Sequence, residues 1–327
     1  MIPHSRPALG EAEVAAAARV LESGMLAQGV EVEAFEAECA ALVGRRYGVA
    51  VNSGTSALHL ALAAVGVELG KGVAIPSYAC AALATAIGLQ GARPLLCDVD
   101  NRYNLDPAAV PEACRTAIVP HLFGAPARLP ATPLIIEDIA QSIGGGTGRE
   151  GRVTIVSFYA TKLLTTGEGG MLLTDDGGIA EFARDRRDYD NRDDFVQRFP
   201  YKMTDIQAAV GRVQLRRLPE FIERRRAIAE GYTAAFRGLP VRLPESAGHV
   251  FYRYVVATSQ RDAIEAHLAE AGIEAKRPVF RPAHHYLGGD FPRSETAHRE
   301  ALSLPIYPSL LERDVGRVIE SFVRFFG

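Results

Sequence analysis

Tyr47-Gly48-Val49-Ala50-Val51-Asn52-Ser53-Gly54-Thr55, followed by the apolar stretch Ser56 to Val65, decides the fold class. Tyr47 to Val51 is a short apolar run of strand type. Small residues stop it, and the next ten residues carry a helical pattern. Strand, small-residue turn and helix make one α/β unit. The same alternation spreads outward from it. Strands are expected at Gly72 to Ile75, Pro94 to Val99, Ala117 to Pro120, Leu134 to Ile136, Val153 to Phe158 and Gly170 to Thr174. Helices are expected at 11–23, 31–43 and 79–90, with Gly24, Gly44 and Gly91 as stops. Such alternation predicts an α/β fold with a mostly parallel sheet covered on both faces. Ligands of such sheets bind outside the strand carboxyl ends. Ser53, Tyr78, His121 and Asp138 all fall there, so they are expected to converge.

From Thr204 to about Arg237 a long helical pattern runs, with Pro219 read as an interruption. Beyond Leu239 the character changes. Val250 to Ala257 alternates like a strand, 261–271 and 311–325 read as helices, and Pro278 to Pro292 as a loop. The expected division is a large domain over 1–238 and a smaller α+β domain over 239–327, with the N-terminal helix able to pack on the small one. Arg224-Arg225-Arg226 reads as a solvated helix face.

A chain of 327 residues with 48% apolar and 23% charged residues reads as a globular protein. A net charge of −3 gives no reason to expect nucleic acid or an anionic membrane as partner. No apolar run is of spanning length, and the first residues lack a signal-peptide pattern. Cys39, Cys80, Cys97 and Cys114 are scattered, which fits a reducing cytoplasm and no zinc site.

The chemistry centres on Lys162, in Ser157-Phe158-Tyr159-Ala160-Thr161-Lys162, ahead of the Gly-rich turn Gly167 to Gly170. Asp138 ends the apolar run Leu134-Ile135-Ile136, which places a carboxylate near the core. Ser53-Gly54-Thr55 opens a helix, where free amides and the helix dipole favour a phosphate. An amine nucleophile, a buried acid and a phosphate-holding turn are what pyridoxal phosphate (PLP) needs. Lys162 would form the Schiff base, Asp138 would keep the pyridine nitrogen protonated, Ser157 would add a phosphate donor and Gln141 a contact to the ring oxygen or a neighbour. Taken singly each has a plainer reading: a loop lysine, a turn-capping Asp, a helix cap, a surface amide. His121 at a strand end reads as structural. His284-His285-Tyr286 lie in a loop, where contact with a substrate and simple solvent exposure are equally open. The histidine spacings match no metal site, and no metal is expected.

Eight segments in order make the chain resemble the DegT–StrS family of PLP-dependent sugar aminotransferases, of the aspartate aminotransferase fold (fold type I). They are Gly10-Glu11 through Gly29, Val51 to Leu62, Ile75 to Tyr78, Gly91 to Pro94, Ile136 to Ser142, Ser157 to Lys162, Tyr201 to Ala209, and Leu302 to Pro308. The resemblance implies Lys162 as the Schiff-base residue, Asp138 as the pyridinium partner, Gln141 as a cofactor contact, and Ser157, Gly54 and Thr55 on the phosphate. It also implies glutamate as amino donor, a nucleotide-linked keto-sugar as acceptor, and a homodimer with active sites at the interface. Members with His in place of the lysine act as dehydratases; Lys162 favours transamination. Two positions depart from the family. Cys80 stands where the family stacks an aromatic ring on the cofactor, which leaves Tyr78 or another residue as substitute, or a ring covered less well. Pro200 stands where a partner-subunit Asn usually reaches the phosphate, with Lys202 or Arg198 as replacements. Three other readings stay open: a sugar dehydratase or lyase, a PLP-fold regulatory protein without turnover, and a nicotinamide-dependent dehydrogenase. The last lacks the G-x-G-x-x-G spacing it would need.

Overall fold

The computed structural model describes residues 1–327. The chain begins with helices α1 (Glu11–Ser23) and α2 (Val30–Val43). Then follow β1 (Tyr47–Val51), α3 (Gly54–Ala64), β2 (Gly72–Pro76), α4 (Ala82–Leu89) and β3 (Arg93–Cys97). Next come β4 (Thr116–Pro120), β5 (Leu134–Asp138), β6 (Val153–Ser157), β7 (Gly170–Thr174) and α5 (Gly177–Arg186). The seven strands form one sheet in the order β1-β7-β6-β5-β4-β2-β3. β1 to β6 point one way, and β7 alone runs antiparallel, wedged between β1 and β6. The carboxyl ends of six strands therefore share one edge. The sheet is as parallel as expected apart from β7.

Both faces are covered, as the unbroken apolar strands require. One core packs α3 and α4 against it through Leu58, Leu62, Leu83 and Ile87. The other packs α2 and the long helix α6 (Asp205–Phe236) through Phe35, Phe158, Leu218 and Ile222. α6 runs through Pro219 without the expected break. Buried Leu218, Phe221 and Ile222 flank the proline, and tertiary packing outweighs the lost backbone donor.

The remainder is β8 (Tyr254–Ala257), α7 (Arg261–Glu270), the short α8 (His284–Leu287), α9 (Pro292–Glu300), β9 (Ala301–Leu304) and α10 (Glu312–Arg324). β8 and β9 pair antiparallel over a third core shared with the end of α6. The strand expected from Val250 starts only at Tyr254. Phe251 has φ 51°, a left-handed conformation no strand accepts, and its N–H is taken by His249 Nδ1 at 2.8 Å. α8, α9 and β9 occupy stretches read as loop or left unread. Ile2 bridges to Ile273 in this third layer, whereas α1 packs on the first half of α6 through Ala16, Val20, Ala209 and Val213. No helix is long and apolar enough to cross a membrane.

The arginine run on α6 is a solvated face only in part: Arg226 is exposed and Arg224 half-buried, but Arg225 is buried. Arg225 is 4% exposed and donates to the carbonyls of Phe251 (3.3 Å), Tyr252 (3.2 Å) and Ile306 (2.8 Å). Arg224 reaches Leu310 O, and Arg226 reaches His249 O.

Candidate active site

A cleft of about 240 Å³ opens at the shared carboxyl edge of the sheet. Ser53, Gly54, Thr55, Cys80, Asp138, Gln141, Ser157 and Lys162 all line it. Residues from five separate segments thus meet because β1, β2, β5 and β6 all end at that edge, with β7 between β1 and β6 and β4 between β5 and β2. Leu58, Leu83, Leu122 and Ile155 supply apolar wall, and Tyr159 and Glu168 complete it.

Lys162 projects from a turn that the sequence anchors on either side. Leu163 and Leu164 are buried in the α2–α6 core, and Lys162 N–H donates to Tyr159 O at 2.9 Å. Its ammonium lies 5.4 Å from the centre of the Tyr252 ring. Tyr252 was not legible as a site residue, being 90 positions away. Its phenol oxygen accepts from Arg253 Nη2 (3.2 Å) and sits 3.5 Å from Thr161 Oγ1. Burial raises that phenol, but Lys162 and Arg253 outweigh it and bring it down to about 8.

Asp138 is the last residue of β5. Burial pushes its carboxyl up, against the pull of Ala140 N–H and Lys162. Oδ1 accepts Ala140 N–H at 2.9 Å, and Oδ2 has no hydrogen-bond partner in the protein. Gln141 Oε1 accepts Phe123 N–H at 2.7 Å, which fixes the side chain and leaves its NH2 free.

At another part of the cleft wall Ser53 caps α3, its Oγ accepting Ser56 N–H at 3.1 Å. Gly54 and Thr55 are the first helical residues, so their amides have no intrahelical acceptor. A Cβ on Gly54 would stand 2.8 Å from Ser157 Cβ, and one on Gly170 would stand 2.3 Å from Ser53 O. Glycine at both positions is what lets the turn, β6 and β7 close into a cradle. The cradle amides, the Ser157 hydroxyl, an acid with one free oxygen and a lysine in one cleft fit a phosphate-bearing pyridine aldehyde.

Other expected residues lie elsewhere. Tyr78 is fully buried beside Tyr103 and Phe123, away from the cleft lining, so it does not replace the missing ring-stacking aromatic. Its ring is held there against Tyr103 and Phe123, and its hydroxyl donates to Ala297 O at 3.4 Å. Cys80 holds the cleft-wall position itself, as an exposed free thiol. His121 points away from the cleft: Nε2 is 3.2 Å from Glu137 Oε2, and Nδ1 accepts Ala127 N–H at 2.9 Å. Lys202 is held by Asp188 (2.9 Å) and Asp190 (2.7 Å), and Arg198 by Asp185 and Asp194. Neither lines the cleft of its own chain, and Pro200 O accepts Asn52 Nδ2–H at 3.0 Å. His284, His285 and Tyr286 do not line it either; the two histidines turn to Glu295.

The arrangement has known counterparts. The chain matches the DegT/DnrJ/EryC1/StrS aminotransferase family over residues 7–323. It is 36% identical to the dTDP-3-amino-3,4,6-trideoxy-alpha-D-glucose transaminase of Streptomyces venezuelae, over 94% of this chain and 90% of that one. It is 33% identical to the spore coat polysaccharide biosynthesis protein SpsC of Bacillus subtilis, over 98% and 96%. That alignment spans 372 residues, more than this chain has, so SpsC carries segments absent here. The structure superposes on DesV of S. venezuelae, solved in complex with a ketimine intermediate, with a TM-score of 0.89 and 34% identity over 96% and 94% of the two chains. With this match running nearly end to end, the chain belongs to the DegT/DnrJ/EryC1/StrS aminotransferase family.

Proposed function

We propose that this protein is a PLP-dependent aminotransferase that moves an amino group from an amino acid, glutamate by resemblance, to a nucleotide-linked keto-sugar. One observation carries the reading: Lys162 and Asp138 face one cleft whose wall includes the Gly54–Ser157 cradle. When bound, PLP would supply an aldehyde carbon and a ring that draws electrons from the substrate carbon. Gly54 and Thr55 amides and the Ser157 hydroxyl would hold its phosphate at the positive end of α3. Asp138, through Oδ2, would keep a proton on the ring nitrogen, and Gln141 NH2 would donate to a polar group beside it. Lys162 Nζ would hold the aldehyde at rest. Once displaced by substrate, the same amine would take the proton from the nitrogen-bearing carbon and return it, as base and then acid. Leu83 and Leu122 would exclude water from that transfer. The names of the relatives support a nucleotide-sugar acceptor.

The same reading takes 1–238 as the cofactor-holding body and 239–327 as the smaller one, supported by separate apolar cores. It includes a homodimer, supported by exposed Val14, Leu21, Met25 and Val30 on the first two helices and their connection. It places the protein in the cytoplasm, supported by four unpaired thiols.

Lys162→Ala tests the assignment. Borohydride reduction of PLP-loaded parent should label the peptide carrying Lys162, seen by mass spectrometry, and the variant should show no label. Its turnover with glutamate and a panel of nucleotide keto-sugars should fall by about a thousandfold or more. A variant with near-parental turnover overturns the reading, and a deoxy-sugar product formed without an amino donor would favour a dehydratase.

A further inference from the structure

Two imidazoles converge on one carboxylate oxygen beside the cleft-bearing edge of the sheet. His284 Nε2 lies 3.2 Å from Glu295 Oε2, and His285 Nε2 lies 2.8 Å from the same atom. Candidate ligand atoms of the three residues all fall within 4.8 Å of one another. We propose that His284, His285 and Glu295 form a binding site for a divalent transition cation, with zinc the cation their donors suit best.

Two imidazole nitrogens and a carboxylate oxygen are a common three-residue zinc donor set, with water as the fourth ligand. Tetrahedral zinc bonds of about 2.1 Å put ligand atoms about 3.4 Å apart. The two nitrogen–oxygen contacts are already near that spacing, so small side-chain shifts admit the ion. His284 is buried at 6% side-chain exposure, and its Nδ1 has no partner. The polar contacts of that ring therefore run only through Nε2, toward the shared oxygen. Glu295 is half-exposed, which leaves a side open for entry and for water. His298 packs its ring 4.9 Å from that of His285, but its Nε2 faces Arg277 Nη1 at 3.3 Å, which makes it a neighbour and not a ligand.

The backbone around the site is fixed independently. Ala283 N–H donates to Ser77 O at 2.8 Å, which ties α8 to the end of β2. Ser294 N–H and Oγ bond Asp98 Oδ1 at 2.8 and 2.7 Å, which ties α9 to the end of β3. A cation would clamp α8 to α9. None of its ligands lines the cleft, so its role is structural.

The test is zinc binding by the full chain after chelator treatment, by competition with a chromophoric chelator and by calorimetry. The expected result is one tight zinc per chain, with affinity weakened about tenfold or more in both Glu295→Gln and His285→Ala. Circular dichroism should show both variants folded without metal, and zinc should raise the melting temperature of the parent but not of Glu295→Gln. Cys80→Ser should bind as the parent does. Absence of stoichiometric zinc, parental affinity in Glu295→Gln, or loss in Cys80→Ser would each overturn the proposal.

Discussion

Asp138 meets two opposed demands. Burial at the end of β5 disfavours its charge and raises its carboxyl above the ordinary value. A protonated ring nitrogen needs that charge. A carboxyl raised by folding contributes stability below its unfolded value, and the contribution is lost as pH rises through the folded value. At neutral pH the cofactor-free protein therefore bears the stability cost of that raised carboxyl. Asp138→Asn should raise the melting temperature of the cofactor-free chain at pH 7, with the gain shrinking toward acid. The same variant should lose most transaminase activity, by about a hundredfold or more. Calorimetry across pH, beside an activity assay, checks both. A lower melting temperature for the variant at pH 7 would contradict that cost. Asp138 was readable as an acid after an apolar run; its free Oδ2 was not, because it depends on how the loop from Ile139 turns back.

At the scale of elements, the end of β5 also organises the loop before β6. Glu137, one residue before Asp138, points the other way and accepts the amides of Gly148 (3.0 Å), Glu150 (2.7 Å) and Gly151 (2.6 Å). Burial opposes its charge, but His121 and the amides of Gly151 and Glu150 outweigh it and hold the carboxyl down at about 2. A carboxyl lowered by folding stabilises above its unfolded value, and that stability is lost as pH falls toward about 2. Glu137→Gln should cost about 3 kcal/mol at pH 7 in urea unfolding and flatten the acid limb of the stability profile. An unchanged midpoint would show that the loop holds itself. Elements with steady periodicity were legible: β1, α3 and β7 stand within two residues of where the pattern put them. The strand at Val250 was overread because alternation cannot report a positive φ at Phe251. α9 was missed because its sequence is mostly polar, and its place is fixed by Ser294 on Asp98, almost 200 residues earlier.

For the whole molecule, α6 is the member that joins the layers. Its first half packs on the large sheet and its end enters the third core. Arg225 sits between them with three carbonyl partners and no carboxylate, and burial lowers its guanidinium to about 9. All three bonds leave from Nη1; a lysine there keeps the charge, but its Nζ ends one bond short of that atom. Arg225→Lys should cost about 2 kcal/mol in denaturant unfolding. Because Tyr252 carries one of those carbonyls, the variant should also disturb absorbance of the Lys162-bound cofactor. A stable variant with an unaltered spectrum would detach the two.

The sequence alone determined the α/β alternation, the strand ends where chemistry collects, and the lysine, acid and glycine turn that serve it. Those are local matters: burial periodicity, turn sterics and residue chemistry act over a few positions. Tertiary structure alone decided which strand-end residues face the cleft, sending Tyr78 and His121 into cores and leaving Cys80 at the wall. It also set Tyr252 under Lys162 and buried Arg225. Side-chain direction and partner choice at those positions depend on segments far away in sequence, whose packing no local pattern encodes.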